Sequence, residues 1–298
     1  KDLTKADAPW ITIEPSQNFS NGVVDVIGDE VYILTSADAQ RNRLVKAPVS
    51  NPVRANWVTV VPEQDGVLTG VQRSGKDLIL TSMHPAIYTV AGEKIRDIEL
   101  PTFGTAGISS SSKNDEVFYN FTSFLYPATV FSYDKTTGES TPVASPEIKG
   151  FNADDYVTEQ VFYPSADGTR IPMFLTYKKG LKRDGSNPVY LYGYGGFNVS
   201  LPPSFSPNRL VWLENGGIYA QANLRGGAEY GEEWHEAGTK MKKLNVFNDF
   251  IAAAEYMINE NWTSPEHIVI EGGSNGGLLV GAVTNMRPDL FRVAIPRV

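Results

Sequence analysis

The run Ile268-Val269-Ile270-Glu271-Gly272-Gly273-Ser274-Asn275-Gly276-Gly277-Leu278-Leu279-Val280 joins an apolar β-branched segment, a glycine-rich corner and an apolar helix-forming segment. It reads as a buried strand, a tight turn and a helix, with one serine at the apex. Gly272 and Gly276 stand two residues either side of Ser274, the G-x-S-x-G spacing of a nucleophile elbow. The spacing has a steric reason: a serine on a strained strand-to-helix turn draws neighbouring backbone so close that a Cβ at either flank would collide with it. The helix behind the serine also aims unpaired N–H groups at any negative charge formed there. In a chain this rich in Gly and Ser the five-residue pattern arises by accident roughly once in six sequences, so the flanking strand and helix carry the reading. The plain alternative is a Gly-rich loop whose serine only caps the helix.

Upstream, strands alternate with helical signals. Asp155 to Tyr163 alternates as a strand, Asp167-Gly168 makes a hairpin turn, and Ile171 to Tyr177 returns. Val189-Tyr190-Leu191-Tyr192 and Gly217 to Ala222 have the look of buried central strands. Between Val246 and Ile258, apolar residues at 247, 250, 251, 254, 257 and 258 form one face of a helix. Alternating elements with a nucleophile at a strand's carboxyl end predict an α/β-hydrolase arrangement over 151–298.

Acyl transfer on such a scaffold needs an oxyanion hole, an acid and a histidine. One oxyanion donor is the backbone N–H after the serine, Asn275; the other comes from an earlier strand-end loop. Gly193-Tyr194-Gly195-Gly196-Phe197-Asn198 directly follows the 189–192 strand and is the candidate loop. The Tyr194 hydroxyl is a possible donor there, and a packed aromatic is the alternative. The acid and histidine should follow the serine in sequence. Only 24 residues do, none of them His; the one acid is Asp289, too close to come from a later strand. His84, His235 and His267 all precede Ser274 and read as loop, surface or packing residues. The 298 residues are therefore expected to lack the triad acid and base, and by themselves to be inert.

Residues 1–150 are of another kind, with short β-rich runs that recur. Gly28-Asp29-Glu30-Val31-Tyr32-Ile33-Leu34-Thr35 resembles 75–81 and then 114–120. Each is followed by a second strand, at 44–49, 86–90 and 129–133, about 42 residues apart, a period typical of propeller blades. The expectation is an all-β propeller in part, about three blades; a generic β-sandwich is the alternative.

Bulk composition narrows the classes. The formal net charge of −8, from 26 basic and 34 acidic residues, argues against a nucleic-acid or anionic-membrane surface. The absence of cysteine excludes disulfides, thiolate nucleophiles and cysteine metal sites. No apolar run is long enough to cross a bilayer. A cytoplasmic location is expected, with periplasm as the alternative. Beginning at Lys1 and stopping at Val298 in mid-pattern, the sequence reads as the central fragment of a longer chain.

Three motifs together then resemble one family. They are Leu191-Tyr192-Gly193-Tyr194-Gly195-Gly196-Phe197-Asn198, Asn223-Leu224-Arg225-Gly226-Gly227-Ala228-Glu229-Tyr230-Gly231 and Gly272 to Leu279. They are similar to the prolyl oligopeptidases, densely from Tyr156 to Phe291 and more loosely through the first half, including Phe121-Thr122-Ser123-Phe124. The resemblance implies the last blades of a seven-bladed propeller, which acts as a size filter, and the first part of a hydrolase domain ending just after the nucleophile helix. It implies cleavage of short peptides after proline through an acyl-enzyme, with Ser274 as nucleophile. Asn275 and Tyr194 would form the oxyanion hole and Phe197 would line the proline pocket. No metal or organic cofactor is implied, and the full-length protein would be a monomer. Ala228 stands where the family more often has glycine. The triad Asp and His, and the family's tryptophan and arginine substrate contacts, would lie outside these residues. Two other functions remain at this level: a non-catalytic propeller fragment that binds peptides, and a relative with basic-residue specificity.

Overall fold

The computed structural model describes residues 7–16 and 18–298. The chain divides into two compact units, one of residues 1–121 and 130–144, the other of 122–129 and 145–298.

The first unit is built from three four-stranded antiparallel sheets, each a meander. The first comprises β1 (Asn21–Ile27), β2 (Glu30–Thr35), β3 (Arg43–Pro48) and β4 (Val58–Val61). The second comprises β5 (Gly70–Ser74), β6 (Asp77–Thr81), β7 (Ala86–Thr89) and β8 (Lys94–Asp97), and the third β9 (Thr105–Ser110), β10 (Val117–Thr122), β11 (Thr129–Tyr133) and β12 (Ser140–Ala144). These are propeller blades, with each recurring sequence run on the second strand of its sheet. Alternation along the strands gives each blade two faces. Tyr32, Leu44, Leu78, Leu80 and Tyr88 make one core shared by the first two blades, and Val31, Ile33, Val45 and Ala47 make another on the first blade's other face. Polar bonds also cross between blades: Tyr32 Oη donates to Val90 O at 3.1 Å, and Lys135 Nζ reaches Asp77 Oδ2 at 3.0 Å.

The second unit is a six-stranded sheet in the order β13-β14-β16-β15-β17-β18. Its strands are β13 (Tyr156–Pro164), β14 (Arg170–Lys178), β15 (Val189–Tyr192), β16 (Ile218–Ala222), β17 (Ile268–Gly273) and β18 (Val293–Arg297). The first two form the Asp167-Gly168 hairpin; β16, β15, β17 and β18 run parallel. The helices are α1 (Pro207–Glu214), α2 (Glu232–Glu236), α3 (Lys243–Asn259) and α4 (Asn275–Met286). Period-two alternation supplies both faces of the sheet. Ile171, Met173, Leu175, Val189, Leu191, Ile218 and Ala220 pack with Phe250, Ala254 and Met257 of α3 and Leu279, Val280 and Val283 of α4. On the opposite face Phe174, Tyr190, Tyr192 and Tyr219 meet Leu210 and Leu213 of α1 and Phe124. Apolar residues on both faces, with helices over them, are the arrangement a parallel sheet requires.

Two features add to the sequence reading. After α4 the chain contributes one more strand, with Val293-Ala294-Ile295 extending the parallel sheet beside β17. And α3 buries a charge, Asp249, on the face that the apolar spacing assigned to the core.

Candidate active site

Strand order brings the site together. Chain order reverses around β15, which lies between β16 and β17, and ligand crevices form at such switch points. In the β15/β17 register Tyr192 lies opposite Glu271, so the segments leaving both strands emerge side by side. One is the 193–198 loop, the other the Ser274 corner, and Gly193 N donates to Glu271 O between them at 3.4 Å.

Ser274 is exposed at the corner, with φ 54° and ψ −115°. A non-glycine residue held there costs on the order of 1–3 kcal/mol, which surrounding structure must offset. The restraint is visible: Ser274 N donates to Arg297 O at 2.7 Å, and Ser274 O accepts from Gly277 N at 2.8 Å. The flanking glycines are required by close approach. A Cβ on Gly276 would lie 2.7 Å from Gly193 O, and one on Gly272 would overlap the Gly276 backbone. Although Ser274 occupies the N-cap position of α4, its hydroxyl makes no capping bond. The serine that only caps its helix is therefore not what the structure contains.

Asn275 is the first residue of α4, where a backbone N–H has no acceptor in a preceding helical turn. Its side chain turns to the loop instead, Nδ2 donating to Tyr194 O at 2.5 Å and Oδ1 accepting from Lys243 Nζ at 3.1 Å. Lys243 Nζ also donates to Gly195 O at 2.8 Å. Loop and corner are so close that a Cβ on Gly196 would fall within 2.7 Å of Asn275 Cγ. Tyr194 is partly buried, and its ring edge lies 3.7 Å from where a Gly276 Cβ would be. Phe197 is 76% exposed at φ 54°. Tyr194, Asn275 and Ser274 are thus neighbours, and Phe197 is at the loop's outer end. The network of Asn275 and Lys243 side chains was missed from sequence; a lysine opening a helix carries no signal of where its ammonium goes.

No histidine stands beside Ser274 in this unit. His267 is at the amino end of β17, the full six-residue strand (about 20 Å) away, with Nδ1 2.9 Å from Ser264 Oγ. His235 Nδ1 lies 2.9 Å from Gly226 O and 3.1 Å from Asn198 N, bracing the loop rather than facing the serine. His84 is on an exposed loop of the propeller unit. Asp289 is paired with Arg287 on the surface.

The run 223–231 forms the floor behind the loop. Arg225 is buried and bonds Asp249 through Nε at 3.0 Å and Nη2 at 2.6 Å, and Asp167 through Nη1 at 2.5 Å. Asp249 is fully buried and also accepts from Ser165 Oγ at 2.6 Å. Asn223 Nδ2 donates to Glu229 Oε1 at 3.0 Å and Leu201 O at 2.9 Å. Burial pushes the Glu229 carboxyl above its ordinary range, against the pull of these donors. Among the described residues no group of three or more His, Cys, Asp or Glu is arranged to hold a metal ion, and no helix is long and apolar enough to cross a membrane.

Comparison with known proteins matches both units. The family model "Prolyl oligopeptidase, N-terminal beta-propeller domain" covers residues 1–146 and "Prolyl oligopeptidase family" covers 203–298. The chain is 48% identical to a prolyl endopeptidase of Elizabethkingia meningoseptica, over 100% of its own length and 43% of the relative's. It is 40% identical to a prolyl endopeptidase of Dictyostelium discoideum over 89% of the chain and 37% of the relative. A structure solved in a study of two prolyl endopeptidases superposes with TM-score 0.90 at 42% identity, over 93% of this chain and 42% of that one. Oligopeptidase B from Leishmania major superposes at 0.84 with 30% identity, over 93% and 41%. The chain thus spans about two-fifths of the length of the relatives it matches. With both family models matched in order, and four-stranded blades and a largely parallel sheet in the structure, this chain belongs to the prolyl oligopeptidase family.

Proposed function

We propose that this chain carries the nucleophile and oxyanion hole of a serine peptidase that cleaves short peptides after proline. The observation that carries the proposal is Ser274, exposed and uncapped at φ 54° against a loop that presents Tyr194. On this reading Ser274 Oγ adds to the carbonyl carbon of the proline residue as its proton passes to a histidine base. The Asn275 N–H and the Tyr194 O–H donate to the oxyanion. Collapse breaks the C–N bond, the base returns the proton to the leaving amine, and the acyl group stays on Ser274 until water removes it. Because His235 and His267 are otherwise engaged, the base and its acid come from polypeptide outside these residues. The exposed Phe197 ring supplies one apolar wall for the proline ring.

Specificity is tested with the full gene product and a pair of blocked peptidyl nitroanilides, one ending in proline and one in arginine. We expect kcat/KM to favour proline by at least about a hundredfold. An equal or greater rate on arginine would overturn the proline assignment while leaving a peptidase. Tyr194→Phe should lower kcat by about 10²-fold with KM within about twofold, the pattern of an interaction made only in the transition state. A rise in KM alone would assign Tyr194 to ground-state packing.

A further inference from the structure

Lys243 is half-buried at the first position of α3, where the helix dipole disfavours a cation. No carboxylate lies within ion-pair distance of it among the described residues, and burial alone draws its pKa below the ordinary lysine value. A lysine there without function would extend into water, as the neighbouring Lys242 does. Instead its ammonium reaches Gly195 O at 2.8 Å and Asn275 Oδ1 at 3.1 Å.

Those two acceptors belong to the two halves of the proposed oxyanion hole. Gly195 follows Tyr194 in the loop, and the Asn275 amide completes the link by donating to Tyr194 O. We infer that Lys243 is a positioning residue that fixes the spacing between the Tyr194 hydroxyl and the Asn275 N–H. The inference rests on the peptidase reading of Ser274. A charged donor suits the task because charge-assisted bonds to a carbonyl and an amide oxygen are stronger than neutral ones. An unpaired cation behind the hole also favours negative charge in front of it, which uniform substrate binding would not sense.

The test uses the full gene product, a peptidyl-proline nitroanilide, and two inhibitors of matched sequence. The peptidyl aldehyde captures Ser274 as a hemiacetal, with the serine proton ending on the new oxygen; the corresponding alcohol cannot. Lys243→Met should lower kcat by about 10- to 100-fold with KM within about twofold, and weaken the aldehyde by a similar factor while sparing the alcohol. Lys243→Arg, which keeps charge and donors, should recover activity to within about fivefold of the parent. Lys243→Gln, neutral with a shorter reach, is the second variant and should show an intermediate loss. An unchanged kcat in Lys243→Met, or equal weakening of aldehyde and alcohol together with a lowered Tm, would overturn the positioning role. A parent without turnover would overturn the peptidase reading itself, which separates the two failures.

Discussion

Replacing Ser274 with alanine should abolish peptide hydrolysis by the full gene product, by about 10⁵-fold or more in kcat, without unfolding it. The size follows from chemistry: no other hydroxyl occupies the corner between β17 and α4, and an acyl-enzyme route has no second nucleophile to use. Stability should respond in the opposite sense. Ser274 is held at φ 54°, so Ser274→Gly should lose activity equally and gain about 1 kcal/mol, because glycine accepts positive φ without a Cβ penalty. Urea titration of the two variants reads this directly. Loss of activity with gain of stability at one residue would mark strain retained for function. Retained hydrolysis in Ser274→Ala would remove the assignment.

The largest expected stability effect lies behind the site. Arg225→Met should destabilise the hydrolase unit by about 3–5 kcal/mol, because it strands the fully buried Asp249 carboxylate. Ser165 Oγ and Arg225 N would still donate to it, but no cation would remain in the network. Replacing both partners, Arg225→Met with Asp249→Leu, should recover much of the loss, since the cost is an unpaired buried charge rather than a lost attraction. The pH dependence has a defined sign. The hydrogen bond from Arg225 holds the Asp167 carboxyl down at about 2 against an ordinary 3.8. A depressed carboxyl pKa contributes stability that is present above about pH 4 and lost as pH falls through about 2. Asp167 is 46% exposed on its side chain, so solvent screening keeps its share small. Acid titration of Arg225→Met should lose that limb of the curve. A single variant no less stable than the double would contradict the account of the network.

What the sequence could show and what it could not divide by range of interaction. The elbow was legible because its steric demands are local: the Cβ collisions at Gly272 and Gly276 are answered within a few residues or by one adjacent loop. The blades were legible because each repeats the same short pattern. The buried charge of α3 was not, because Asp249 is stabilised by Arg225, 24 residues earlier, and Ser165, 84 residues earlier. The apolar stripe at 247, 250, 251, 254, 257 and 258 was correct about a helix and silent about the carboxylate on its face. Helix α1 escaped because Leu201 to Pro207 is proline-rich and reads as loop, although Pro207 sits where a helix tolerates it. The last strand escaped because three apolar residues before Pro296 are too short a signal on their own. Lys243 escaped for the same reason as Asp249: its acceptors, Gly195 and Asn275, are 48 and 32 residues away.

The most direct measurement is to treat the full gene product with a fluorophosphonate, digest it, and locate the modified residue by mass spectrometry. The account predicts one stoichiometric phosphonyl adduct, on Ser274, forming in step with loss of peptide hydrolysis and prevented by a peptidyl-proline aldehyde. An adduct on a different residue, or full inactivation with Ser274 unmodified, would contradict it.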